Sequence, residues 1–240
     1  MAGLGTIINA ALIITGGIIG IIFRHSMTHK LQETLMKANA VAVIFIGISG
    51  ALAKMLTINN GVIETQGALM MIISLAFGAI IGELIDLEHK IEQFGEYLKK
   101  RTGNAKDRSF TNAFVTASLT VCIGAMAIVG AIEDGLYGDH SILIAKGILD
   151  FIIIMIMTAS LGKGALFSFI PVGIFQGLVT IAASFAEKIA TPAAMNNLSL
   201  VGSILIFCVG VNLIWENTIR VGNVLPAIFI AFALAFCHYF

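Results

Sequence analysis

Apolar stretches of bilayer length recur along this chain, and they decide what it can fold into. A helix rises 1.5 Å per residue, so about 20 residues cross a hydrocarbon core of about 30 Å. Inside that core a backbone satisfies its own hydrogen bonds only as a helix or a closed barrel. The sequence divides into eight such segments, at about 4–23, 38–56, 67–87, 112–132, 141–161, 166–186, 198–215 and 223–239. Seven spans is the alternative, if the last segment is re-entrant. Charged residues make up 12% of the 240, about half the ~25% of a soluble domain. The expected fold is an all-α polytopic transmembrane helix bundle forming one integral membrane domain, with the lipid bilayer as its main partner.

Charge fixes an expected orientation. Lys and Arg total 14 and Asp and Glu total 14, so no net charge points to nucleic acid. Their distribution is uneven. Connectors 1–2, 3–4, 5–6 and 7–8 hold eleven Lys and Arg, among them Arg24, Lys99, Lys100, Arg101, Lys163 and Arg220, whereas the opposite side holds Lys54 and Lys188. The positive-inside rule puts the basic connectors in the cytoplasm and both termini outside. Trp215, Tyr137 and Tyr239 fall at segment ends, as an aromatic belt requires. The first segment has no basic n-region before it and no convincing cleavage site after it, and it reads as a retained span.

Residues 24–37, with Met27, Leu31 and Leu35 four apart, predict a short surface helix. Residues 88–111 predict an amphipathic, basic cytoplasmic connector. Segment 3 is expected to run into it as one helix, with Glu83 and Asp86 in mid-helix and Asp86 paired to Lys90. Small residues form close-packing stripes at Gly16, Gly17 and Gly20, and at Ser74, Gly78 and Gly82. Segments 1–3 and 6–8 share a rhythm of Gly-rich spans, and an offset of five spans would make them an inverted repeat.

The chemistry concentrates in residues 118–150. Lys146 and Asp150 lie four apart within an apolar segment, on one helical face. Ionisable residues inside a membrane default to ion or solute pathways. The bland alternative is a self-neutralising structural pair. Asn9, Gln176 and Asn212 are further ligand candidates, each alone more often helix–helix glue. Glu133, Asp134 and Asp139 read as an acidic outer mouth that would concentrate cations, against a plain solvated turn. Cys122, Cys208 and Cys237 lie in separate apolar runs without metal spacing. No metal or other cofactor is implied.

Two enzyme signatures are dismissed. Gly47-Ile48-Ser49-Gly50 resembles the nucleophile sequence of intramembrane serine proteases, but a serine needs a base within reach. His25, His29, His89 and His140 lie in loops or at span ends, and His238 is near the C-terminus. Gly138-Asp139 lacks the first glycine of an aspartyl intramembrane protease motif. The chain is therefore not expected to be an enzyme.

The central CIGAMAIVGAIEDGLYGD and LIAKGILD, with NAALIITGGIIG, SLAFGAIIGE and VGNVLPAI, resemble the YqgA/YdfK-like bacterial inner-membrane family, a family built on a domain of unknown function. The resemblance covers nearly the whole chain. It implies a multipass protein of the bacterial plasma (inner) membrane, and it transfers no substrate, mechanism or catalytic residue. The function expected is movement of a small solute or ion, cation- or proton-coupled through Asp150 with Lys146 as its partner. The runner-up is a non-transporting oligomer, such as a homodimer, with a structural or regulatory role; a gated channel is a third form.

Overall fold

The computed structural model describes residues 2–59, 61–122, 125–183, 191–215 and 218–237, with the side chains of His25 and Ala125 excepted. Lys188, His238 and Tyr239 lie outside these. Helices follow the apolar runs. They are α1 (Leu4–Ser26), α2 (His29–Met55), α3 (Ala68–Ile85), α4 (Leu87–Arg101), α5 (Phe110–Cys122), α6 (Ala125–Tyr137) and α7 (Ser141–Ser160). A 3-10 turn (Lys163–Ser168) leads into α8 (Phe169–Ile181), followed by α9 (Pro192–Ile214), α10 (Val221–Val224) and α11 (Pro226–Leu234). Among the described residues, six helices are long and apolar enough to cross a membrane. The pair α5–α6, bent by 63°, adds a seventh if counted as one span, and the eighth expected segment is the shorter apolar stretch Val221–Leu234. The protein is an all-α polytopic membrane bundle.

Three local expectations are corrected. The predicted surface helix at 24–37 is not separate. Thr28 accepts a hydrogen bond from the Leu31 N–H at 3.3 Å, and α2 then runs unbroken for 27 residues. Nothing in Leu-Met-Lys-Ala-Asn-Ala-Val breaks a helix, so the amphipathic and apolar parts fuse. The polar turn after segment 2 is a β-hairpin. Strands β1 (Leu56–Asn59) and β2 (Val62–Thr65) pair antiparallel, with Ile58 opposite Ile63 and Gly61 at φ 81° in the turn. The helix of segment 3 stops at Ile85. Asp86 adopts the left-handed conformation (φ 51°), and its carboxylate accepts from Arg220 at 2.8 Å instead of pairing with Lys90. Asn223 Oδ1 accepts the Glu88 N–H at 2.7 Å, so the start of α4 has a capping partner from α10.

The chain forms two compact units. The first comprises Met1–Ala40, Lys90–Cys122 and Met126–Glu187. The second comprises Val41–His89, Ile123–Ala125 and Lys188–Phe240. In the first unit α1 and α7 run parallel at backbone contact. A Cβ on Gly16 would sit 2.5 Å from Phe151 O, and one on Gly20 would sit 2.4 Å from Met155 O. Helix α8 runs antiparallel to α1, with Gln176 against Asn9 and Leu166 against Gly17. In the second unit α2 is antiparallel to α9, through Gly47 with Phe207, Gly50 with Ser203 and Lys54 with Asn196. Likewise α3 is antiparallel to α11, through Gly78 with Ala227, and Gly82 lies against Asn223. Met70, Leu200, Val201, Ala227 and Ala231 form the core there. Leu84 and Ile181 are more than four-fifths exposed, positions suited to lipid rather than water.

Candidate functional site

Helix α7 begins under a local cap. Asp139 accepts the Ser141 N–H at 2.9 Å, and hydrogen bonds from the Ser141 hydroxyl and backbone hold the Asp139 carboxyl below its ordinary range. Two turns on, the 3.6-residue period sets Lys146 and Asp150 on one face, both buried. Lys146 donates to Asp150 Oδ2, and it also donates to Val121 O at 2.8 Å. The second bond ties α7 to α5 and gives the buried ammonium a further acceptor.

Two more helices reach this point. Asn9 of α1 stands beside Asp150, and its Nδ2 donates to Gln176 Oε1 of α8 at 3.3 Å. Both amides are buried. Asn9 Oδ1 and Gln176 Nε2 remain without partners, so one acceptor and one donor are unfilled next to the ion pair. The structure thus brings Lys146, Asp150, Asn9 and Gln176 together from α7, α1 and α8. Asn212 is not among them: it belongs to the second unit, where its amide bonds both Ile219 O (2.6 Å) and Ile219 N (2.9 Å).

The acidic mouth needs correction. Helix α6 extends to Tyr137, so Glu133 and Asp134 are helical and not in a turn. Glu133 is half-buried, Asp134 is fully buried, and Asp139 alone of the three is exposed. Asp134 Oδ2 accepts the Gly5 N–H of α1 at 3.0 Å, and its Oδ1 lies 2.8 Å from His140 Nδ1. The N-terminus of α1 offers unpaired N–H groups and positive potential, which draws the carboxylate inward. Sequence reasoning missed this contact, although a histidine six residues after a carboxylate was in view. It also missed the clamp of Arg220 on Glu83 (2.7 Å) and Asp86 (2.8 Å), whose signal was a lone arginine in a short connector.

Ser49 bonds the Ile46 carbonyl of its own helix at 3.1 Å, while its flanking glycines pack on α9. Among the described residues no three His, Cys, Asp or Glu side chains are grouped to hold a metal.

Comparison with known proteins places this site in a family. The chain is 28% identical over 226 residues to the uncharacterized membrane protein YdfK of Bacillus subtilis (strain 168), covering 94% of this chain and 93% of that one. It is 28% identical over 239 residues to the uncharacterized protein YqgA of Escherichia coli (strain K12), covering 97% and 96%. No solved structure matches. The family model described as a protein of unknown function (DUF554) matches residues 4–236, and the chain therefore belongs to the DUF554 family.

Proposed function

We propose that this protein is a secondary transporter for a small solute or ion, with Asp150 as its central charged ligand and Lys146 as the partner that holds or releases it. The observation that carries this reading is the buried Lys146–Asp150 pair, bonded also to Val121 O of α5 and joined by amides from two other helices. Ionisable residues inside a membrane that pair with one another and with backbone carbonyls are a recurrent mark of ion and solute pathways. The protein has no enzymatic role in this reading, and it needs no cofactor.

The same reading sets it in the bacterial plasma membrane, with both termini outside. The parallel pair α1–α7 and the antiparallel pairs α1–α8, α2–α9 and α3–α11 are compatible with eight alternating spans. Each antiparallel pair joins segments five apart, which supports an inverted repeat of segments 1–3 and 6–8. A second reading, an oligomer such as a homodimer, has its own observation. Gly173 and Gly177 on α8 meet no atom within 4 Å, whereas most helical glycines are in use inside the chain.

The test is flux of ions and protons into proteoliposomes under imposed gradients, for wild type and Asp150→Asn. Protein-dependent flux lost in the variant, with helicity retained, is the expected result. Equal flux in both removes Asp150 from the pathway. Absence of flux with a stable dimer that Gly173→Ile dissociates would favour the second reading.

A further inference from the structure

Eight side chains among the described residues carry a buried polar atom without a hydrogen-bond partner, and all eight belong to the first unit. Buried polar groups are ordinarily paired, and one left open calls for a water, an ion or a transient partner. Four of them form a lane. Thr6 lies one turn before Asn9 on α1, and Thr180 lies one turn after Gln176 on α8. Because α1 and α8 are antiparallel, with Asn9 bonded to Gln176, the two threonines share a level. That level is the end where Asp134 receives the Gly5 N–H and a Cβ on Gly135 would sit 2.6 Å from Thr180 O. From there to Asn9 is about 6 Å, one helical turn. Thr158 and Ser168 carry two more of these atoms.

We infer that the species passing along this lane is a proton, carried by water between the Asp134–His140 pair and Asp150. The inference rests on the transporter reading and names its coupling species. Three observations favour a proton over a larger cargo. Space is the first: a Cβ on Gly147 would fall 2.7 Å from Leu12 Cδ1 and 3.3 Å from Asn9 Oδ1, so the α1–α7 seam at Asn9 is too close to pass a hydrated ion or a solute. Charge is the second: Lys146 already neutralises Asp150, and among the described residues no second carboxylate is bonded there to supply the oxygen ligands a bare divalent cation requires. Chemistry is the third: hydroxyls and amides both donate and accept, as a water chain moving protons needs of its walls.

A hydronium on the lane breaks one O–H bond and is left as water while an O–H bond forms on Asp150, which removes the carboxylate charge and with it the ionic hydrogen bond from Lys146. Lys146 keeps its own proton and its bond to Val121 O. Departure of the Asp150 proton restores the pair. Among the described residues the groups facing Asp150 are Lys146 on α7, the Cys122 thiol on α5 and the non-titrating Asn9 on α1, to which Gln176 of α8 is bonded. Those at the lane's other end are Asp134, its neighbour Glu133, and His140.

Infrared difference spectroscopy of the full chain in proteoliposomes tests this without a substrate. The expected result is a protonated-carboxyl band that grows as pH falls, is absent in Asp150→Asn, and shifts in Asp150→Glu. Its midpoint should not move with Na+, K+ or Mg2+. Thr180→Val should slow hydrogen–deuterium exchange of that band by about tenfold at unchanged helicity, one polar contact having been lost from the transfer barrier. A carboxylate band that answers to Na+ or Mg2+ at fixed pH, and not to pH, overturns the proton but keeps Asp150 as a transport ligand. A band that answers to neither overturns both. Exchange unaffected by Thr180→Val, and equally by Thr6→Val, overturns the lane.

Discussion

Lys146 holds two acceptors, a carboxylate on its own helix and the Val121 carbonyl of α5. Replacing Lys146 with Met would leave Asp150 charged and buried, and Val121 O without its donor. Losing one partner of a buried pair costs about 3–5 kcal/mol, whereas an apolar replacement of both is often neutral. Lys146→Met should therefore lower resistance to denaturant-induced loss of helicity by that amount, and Lys146→Met with Asp150→Leu should recover most of it. Asp134 has a comparable role at the end of α1. Asp134→Leu strands the Gly5 N–H in a buried site and should cost about 1–3 kcal/mol in the same measurement, while Asp134→Asn keeps an acceptor and should cost less.

At the scale of helices, contact distance matters more than composition. Gly164 lies just before α8 and Gly173 within it, yet a Cβ on Gly164 would fall 1.8 Å from Phe110 O and one on Gly173 would meet nothing within 4 Å. Gly164→Ala should destabilise by about 1–3 kcal/mol through displaced backbone. Gly173→Ala should be neutral or stabilising by up to about 1 kcal/mol, because alanine is the better helix former. Thermal loss of helicity in lipid measures both. Helix α4 is tied to α5 through Glu96, which accepts from Thr111 and from Lys99. The Thr111 hydroxyl, first, and Lys99 hold the Glu96 carboxyl below its ordinary value of 4.5. A depressed carboxyl stabilises the fold above its unfolded value, and this is lost as pH falls through the folded one. Stability of Glu96→Gln should thus approach that of wild type only below pH 4.5, with the difference present at neutral pH.

For the whole molecule, orientation is the property most easily checked. With Cys122, Cys208 and Cys237 replaced, a cysteine at Glu64 in the hairpin should react with a membrane-impermeant maleimide in intact cells. A cysteine at Lys106 should react only after permeabilisation. The reverse pattern would invert the orientation drawn from the positive charges.

The sequence by itself determined the membrane class, the place of the apolar helices and the candidacy of Lys146, Asp150, Asn9 and Gln176. Each of these follows from a local quantity: hydropathy over about 20 residues, or a polar group where lipid disfavours one. Only tertiary structure decided what those side chains meet. Asp134 turned inward because a different helix ends beside it, and Asp86 broke its helix where Arg220 and Asn223 gather its neighbours. Gln176 meets Asn9 from 167 positions away, while Asn212, of the same polarity, bonds Ile219 seven residues on. Periodicity gives the face a residue occupies along its own helix; which helix covers that face depends on packing between distant segments, where a glycine admits a backbone and any larger residue excludes it.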